Sequence, residues 1–380
     1  MYADISPLIL GFIILFASLI SLRFGISVAI LEIIFGVIVG NIFNISPEGW
    51  MIYISSFGGI FLTFLAGAET DIKLMRSKFK ESFLIGLASF LIPFITVFLF
   101  SYYLANWSLL ASLIAGVTLS ETAVAVVYFV LIETDLANTE IGKTIMAATF
   151  MTNMGTAIAL SVLFVNFNLY TLIFLIVSFL VILFGYKYSR LIFDNVRFKN
   201  KVIEPEIKYV FLLLLVFMFF AQLGGGQAIL PAFILGIFMS QHFVESKESI
   251  EVKKRLKTVA FAFITPIFFI VGGLKVSLAL IAMALPSFIG LLVVRQLSKL
   301  TGVYLVTRKY LDTAQTYTTL LMSTGLTFGL IASVFGLNAG YIDQIQYSLL
   351  TGVLITSAVI PTLIAQKWFF PFHQEDMLDQ

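Results

Sequence analysis

Long, almost charge-free apolar runs recur along the whole chain, each closed by a short basic or glycine-bearing connector. A helix needs about 20 apolar residues to cross roughly 30 Å of hydrocarbon. By that measure the pattern predicts thirteen spans: 5–22, 25–43, 50–68, 82–104, 109–132, 141–165, 169–187, 207–223, 226–243, 258–274, 280–306, 313–336 and 345–366. The eighth and ninth are short and separated only by Gly224-Gly225-Gly226. The runs are continuous, not the alternating segments of about ten residues that build a membrane β-barrel. The predicted fold class is therefore an all-α polytopic membrane protein.

Charge placement supports the same count, because cytoplasmic loops collect Lys and Arg. Connectors after odd-numbered spans carry Arg23, then Lys73, Arg76, Lys78 and Lys80, then the cluster from Lys187 to Lys208. Further along they carry Lys247 to Lys257, Arg308 with Lys309, and Lys367. Connectors after even-numbered spans carry only Lys275. The expected orientation puts the N-terminus outside and the C-terminus in the cytoplasm. The longest connectors, 188–206 and 244–257, are too short to fold separately, so residues 1–380 read as one membrane domain.

Composition narrows the picture further. The chain is 60% hydrophobic and 12% charged, with 40 Phe and a mean hydropathy of +1.04. Soluble domains are about 45–50% apolar and about 25% charged. The partner these numbers demand is the lipid bilayer. A net charge of +2 leaves no footprint for nucleic acid, and no phosphate-cradling loop or zinc-ligand spacing is present. With no Cys there is no disulfide, thiolate metal site or cysteine nucleophile. The first segment has no basic leader region, with Asp4 its only early charge, so no cleavable signal is expected.

Two stretches resemble each other. Ile60-Phe61-Leu62 with Gly67-Ala68-Glu69-Thr70-Asp71-Ile72 lies on the third span, and Ile267-Phe268-Phe269 with Gly273-Leu274-Lys275-Val276-Ser277-Leu278 on the tenth. An odd number of spans apart, the copies face opposite sides of the membrane. That parity predicts two inverted six-helix repeats with the seventh span as linker, an arrangement used by secondary transporters.

The fifth and twelfth spans then correspond. The fifth contains Gly116-Val117-Thr118-Leu119-Ser120-Glu121-Thr122, the twelfth Ser323-Thr324-Gly325-Leu326-Thr327-Phe328-Gly329. Gly and Thr are poor helix formers, and hydroxyls can replace backbone partners where a helix opens. Small-residue helix packing accounts for either run alone. Their matched positions favour two discontinuous helices, the strongest sequence pointer to a transporter's binding site.

Charge at the bilayer centre costs about 2.5–3.5 kcal/mol on insertion scales, so each buried charge needs a reason. Glu121 and Asn153 fall near the midpoints of the fifth and sixth spans. Arg295 and Lys299 share one face of the eleventh, and Lys299 lies about 10 Å from the cytoplasmic end, near enough to snorkel to water. Glu32 on the second span suits a structural pair. Glu69 and Asp71 sit at the cytoplasmic mouth of the third. From the sequence alone, Asn153 reads first as glue between helices and second as an oxygen ligand for a cation, and its amide exchanges no proton.

These residues resemble the monovalent cation/proton antiporter superfamily, particularly its thirteen-helix sodium/proton branch. The likeness spans essentially the whole chain. It is carried by Leu65-Ala66-Gly67-Ala68-Glu69-Thr70-Asp71, Leu119-Ser120-Glu121-Thr122-Ala123-Val124-Ala125, Pro266-Ile267-Phe268-Phe269 before Gly273-Leu274-Lys275, and Lys299-Leu300-Thr301-Gly302. The resemblance implies a homodimer, with an ion-translocating core at about 50–165 and 258–366 and a dimerisation scaffold at about 1–49 and 169–243. It implies that the discontinuous fifth and twelfth helices cross beside the ion site.

The family places an Asp there, often after a second Asp or an Asn. Here Asn153, preceded by Thr152, holds that position, so the expected exchange is impaired as written and restored by Asn153→Asp. Na⁺ would be held by Asn153, Thr152 and Ser120, with Glu121 and Thr118 alongside, and Lys299 and Arg295 would supply counter-charge. The implied activity is exchange of Na⁺ or Li⁺ for H⁺ at the cell membrane by alternating access, with no cofactor and no nucleotide. Potassium/proton exchange or potassium efflux is the alternative, since oxygen ligands alone do not separate the two cations. A membrane enzyme would need His, Cys or clustered acids at depth, and His242 and His373 lie near membrane ends.

Overall fold

The computed structural model describes residues 5–24, 27–70, 79–134, 136–137, 139–164, 168–193, 203–224, 228–241, 243, 247–311 and 314–371. Asp71, the loop cations Lys73, Arg76 and Lys78, and both histidines lie outside the described residues. Among the described residues all regular structure is helical, as hydrocarbon demands of backbone groups that must pair within their own segment.

The helices follow the apolar runs. The first four spans are α1 (Ser6–Phe24), α2 (Val28–Ile42), α3 (Gly49–Ala68) and α4 (Phe79–Leu99). The fifth is divided into α5 (Leu109–Ser120) and α6 (Val124–Glu133). Next come α7 (Glu140–Leu163), α8 (Leu169–Phe193), α9 (Pro205–Gly224) and α10 (Ile229–Ser240). The basic α11 (Lys247–Val259) passes through a π-turn at Ala260–Ile264 into α12 (Thr265–Leu274). The chain ends with α13 (Leu278–Met283), α14 (Leu285–Tyr310), α15 (Gln315–Met322), α16 (Thr327–Asn338) and α17 (Gln344–Trp368).

Among the described residues, ten helical segments are long and apolar enough to cross a membrane, counting 315–338 as one. Three shorter apolar helices, α2, α5 and α10, coincide with the second, fifth and ninth predicted spans. One prediction changes. Residues 280–306 form not one helix but a short α13 and a long α14, because Pro286 lacks the N–H that would continue the first and fits the first turn of the second.

Helix starts carry local caps. Ser108 accepts from the Ala111 amide, Asn168 from the Thr171 amide, and Asp343 forms a reciprocal box with Gln346. Large apolar side chains face outward, among them Leu8, Phe12 and Leu22 on α1 and Leu175, Ile176 and Phe179 on α8. Lipid rather than water suits such a surface.

The chain divides into two compact units. One contains residues 1–10, 47–73 and 157–271. Within hydrocarbon, helices associate through close packing and interhelical hydrogen bonds, not water exclusion. Here α3 and α10 meet where Gly67 faces Gly236, and a Cβ on either would run into the other helix's carbonyl at Phe233 or Phe64. Phe61, Phe64, Leu214, Phe217, Leu235 and Leu256 fill the core around that crossing.

The other unit contains residues 11–46, 74–156 and 272–380. It makes the same kind of contact: a Cβ on Gly273 would strike the Ile33 carbonyl, and Gly36 lies opposite. The third and ninth spans in one unit, and the tenth and second in the other, are the pairs that the repeat relates. Ile85, Val127, Leu131, Ile145, Tyr317 and Leu321 form this unit's main core.

Candidate functional site

Both helices expected to be discontinuous are interrupted, within the second unit. α5 stops at Ser120, residues 121–123 are extended or irregular, and α6 begins at Val124. α15 stops at Met322, and α16 begins at Thr327 after Leu326 at φ −156°, ψ −66°. Each opening frees carbonyls that no helix turn satisfies. Hydroxyls take up part of the load: Ser323 Oγ donates to the Leu320 carbonyl and Thr324 Oγ1 to that of Leu321, both at 2.7 Å. The two interrupted helices cross where Gly329 on α16 meets the Thr118 carbonyl on α5, at 2.7 Å from where a Cβ would stand.

Lys299 completes the frame. Its Nζ donates to the Glu121 carbonyl at 2.6 Å, Thr122 Oγ1 at 2.9 Å, and the Met322 carbonyl and Ser89 Oγ, both at 3.1 Å. One ammonium thus touches the C-terminal ends of both α5 and α15, where the helix dipoles concentrate negative partial charge. Thr122 Oγ1 bonds the Met322 carbonyl as well, at 2.9 Å. The snorkelling alternative for Lys299 is excluded, since its side chain is fully buried among these acceptors.

Arg295, one turn earlier on α14, donates through Nη1 to the Ser323 carbonyl at 2.7 Å and to Gln296 Oε1 at 3.1 Å. Its Nε and Nη2 are buried without a hydrogen-bond partner. Glu121 is fully buried too. Its carboxylate faces the charges of Lys299 and Arg295 and the backbone amides of Leu326 and Gly329 at the start of α16, yet neither oxygen completes a hydrogen bond. The site therefore sets two cations against helix C-termini and one carboxylate against a helix N-terminus, the arrangement that dipoles favour.

Asn153 lies on α7, buried, with both amide atoms unpartnered. One turn earlier on the same face, Thr149 Oγ1 contacts Met322 Sδ at 3.4 Å, which turns that face toward the α15–α16 break. Thr118 Oγ1 is a further buried oxygen without a partner. Asn153 and Thr118 thus keep polar atoms free for a further partner. Ser120 and Thr152 differ. Ser120 Oγ donates to its own helix at Val117, and Thr152 Oγ1 contacts the Gly86 carbonyl on α4 and Ala148 on α7. Each hydroxyl still keeps lone pairs that can ligate.

Glu69 belongs to the first unit. There it pairs with Lys257 at 2.5 Å and Lys253 at 3.1 Å on α11, so the predicted mouth residue is an ion-paired helix end. Arg255 on the same helix pairs with Glu204 at 3.0 Å and Glu206 at 3.6 Å. Glu32 is buried on α2 and joins no ion pair among the described residues. Two contributors escaped sequence reasoning. Ser89 is an isolated hydroxyl in an apolar span with no distinguishing signal. Thr122 stood inside the helix-breaking run, where its hydroxyl next to Glu121 was the available clue.

The comparisons with known proteins agree with this architecture. The description "Sodium/hydrogen exchanger, transmembrane" matches residues 11–370. The probable Na⁺/H⁺ antiporter 3 of Methanocaldococcus jannaschii is 28% identical over 272 residues, covering 68% of this chain and 68% of that protein. The Na⁺/H⁺ antiporter of Enterococcus hirae is 26% identical over 372 residues, covering 92% and 93%. In fold, the chain is similar to the sodium proton antiporter MjNhaP1 of Methanocaldococcus jannaschii, with a TM-score of 0.70 at 17% identity, over 94% of this chain and 98% of that one. The match spans nearly the whole sequence, and the chain belongs to the sodium/hydrogen exchanger family of transmembrane transporters.

Proposed function

We propose that this protein exchanges Na⁺ or Li⁺ for H⁺ across the cell membrane by alternating access, with its transport site at the crossing of the two interrupted helices. The observation that carries the reading is the buried group of Glu121, Lys299 and Arg295 beside two opened helices, with Asn153 buried on α7, whose Thr149 reaches Met322 at one of the breaks. Hard cations take oxygen ligands. Thr118, Ser120, Thr152 and Asn153 offer neutral oxygens, and Glu121 offers the charge. Lys299 holds both helix ends in place while the site is reshaped.

Asn153 occupies the position of the family's acid and contributes shape and oxygen without charge or titration. Exchange is accordingly slow in the chain as written, with Glu121 the carboxylate left at the crossing. The family resemblance supports a homodimer and a core at about 50–165 and 258–366, and the Lys and Arg bias of the connectors supports an N-terminus outside with a cytoplasmic C-terminus.

The test is reconstitution of the full chain into proteoliposomes with a trapped pH dye, under imposed Na⁺, Li⁺ or K⁺ gradients. Sodium and lithium gradients are expected to move protons, and Glu121→Gln to stop them. A potassium gradient that works equally well would reassign the substrate. No coupled movement in either the wild type or Asn153→Asp would refute antiport.

A further inference from the structure

We propose that the Arg295 guanidinium is a tethered counter-ion that competes with the transported cation for the Glu121 carboxylate. The inference rests on the crossing being the transport site, and it adds what an incoming cation must displace there.

The two basic groups on α14 are used differently. Lys299 has three N–H donors and contacts four acceptors, so it is committed to the helix ends. Arg295 has five, and only Nη1 is engaged, on the Ser323 carbonyl and Gln296. Nε and Nη2 remain buried and unpartnered, as do both oxygens of Glu121. Unpaired buried donors and acceptors of opposite charge each carry a desolvation penalty that pairing relieves.

They meet at Gly325. A Cβ there would overlap Arg295 Nη2 and lie 3.1 Å from Glu121 Oε1, so both groups crowd the space that glycine leaves open. The charged groups facing Glu121 are Lys299 and Arg295, together with the amides of Leu326 and Gly329. Asn153 adds no charge. Two cations thus oppose one carboxylate, and a third positive charge binds only if one of the two withdraws. Lys299 is held by four contacts, whereas the free edge of Arg295 swings away while Nη1 stays on Ser323. Arg295 is in this sense a positioning residue that sets cation affinity from within.

The experiment titrates sodium against the purified full-length protein by isothermal calorimetry. Arg295→Gln is expected to tighten sodium binding about tenfold or more, the scale of a lost unit charge a few ångströms away. Arg295→Lys keeps the charge and is expected to stay near the wild type. Gly325→Ala pushes the guanidinium aside without removing its charge, and it too is expected to tighten binding, which covers the case of an Arg295→Gln protein that does not fold. Glu121→Gln is expected to abolish binding in every background. A residue that only caps α15 would, on removal, lower stability and leave affinity unchanged or weaker. Unchanged or weakened sodium binding in both Arg295→Gln and Gly325→Ala overturns the proposal while leaving antiport intact. Absence of binding in the wild type and in Asn153→Asp alike removes the transport site itself.

Discussion

Asn153→Asp adds one charge at the proposed cation site. The two side chains are nearly the same shape, and neither amide atom of Asn153 holds a hydrogen bond, so the substitution breaks none. What changes is electrostatics. A full negative charge about 4 Å from a monovalent cation is worth about 4 kcal/mol at an effective dielectric near 20. Keeping the new carboxylate out of water offsets part of that. The remainder, about 1.5–3 kcal/mol, corresponds to roughly 10- to 100-fold tighter cation binding.

The same group adds a position at which a proton and a hard cation exclude each other, which the amide cannot do. In proteoliposomes driven by a sodium gradient, proton flux is therefore expected to rise about tenfold or more over the unaltered chain. Equal flux in the two forms would refute the placement of residue 153 at the site, whatever the protein transports.

Other perturbations probe the frame. Lys299→Met leaves the carbonyls of Glu121 and Met322 without their shared donor and Glu121 with one counter-charge fewer. The expected cost is about 3–5 kcal/mol, the usual penalty for removing one partner from a buried charged cluster, read as a lower melting temperature in detergent. An unchanged melting temperature would mean that the helix ends find other donors. Gly67→Leu and Gly273→Leu each force apart a crossing with no room for a Cβ, and overpacking of this kind costs about 1–3 kcal/mol or more. Size-exclusion profiles should show loss of folded protein for both, whereas Gly11→Leu, at a position with open space, should not. Glu69→Gln removes a partly exposed ion pair worth about 0–1 kcal/mol. Its small effect on melting should shrink further between low and high ionic strength; a salt-independent loss would mean that Glu69 does more than pair with Lys253 and Lys257.

Much of this protein was legible before any tertiary contact was known. Hydropathy is local, and a segment in hydrocarbon must satisfy its own backbone, so the apolar runs alone determined an all-helical membrane fold. The two helix interruptions were equally local: Gly116 to Thr122 and Ser323 to Gly329 concentrate residues that disfavour helix and carry hydroxyls able to cap what opens. The equivalent places of Gly67 and Gly273 were visible as a repeat, though not the glycines they face.

Only the tertiary structure decided where the side chains go. Lys299 looked close enough to the cytoplasm to escape, yet its four acceptors come from three other segments of the chain, as far away as Ser89. Ser120 and Thr152 matched a ligand pattern, but each hydroxyl already donates to a carbonyl, one of them on α4. Arg295 and Glu121 crowd one glycine from positions far apart in sequence. Spacing along one helix predicts which residues share its face; it says nothing about which face of a distant helix arrives opposite, and that packing choice set the charge balance of the site.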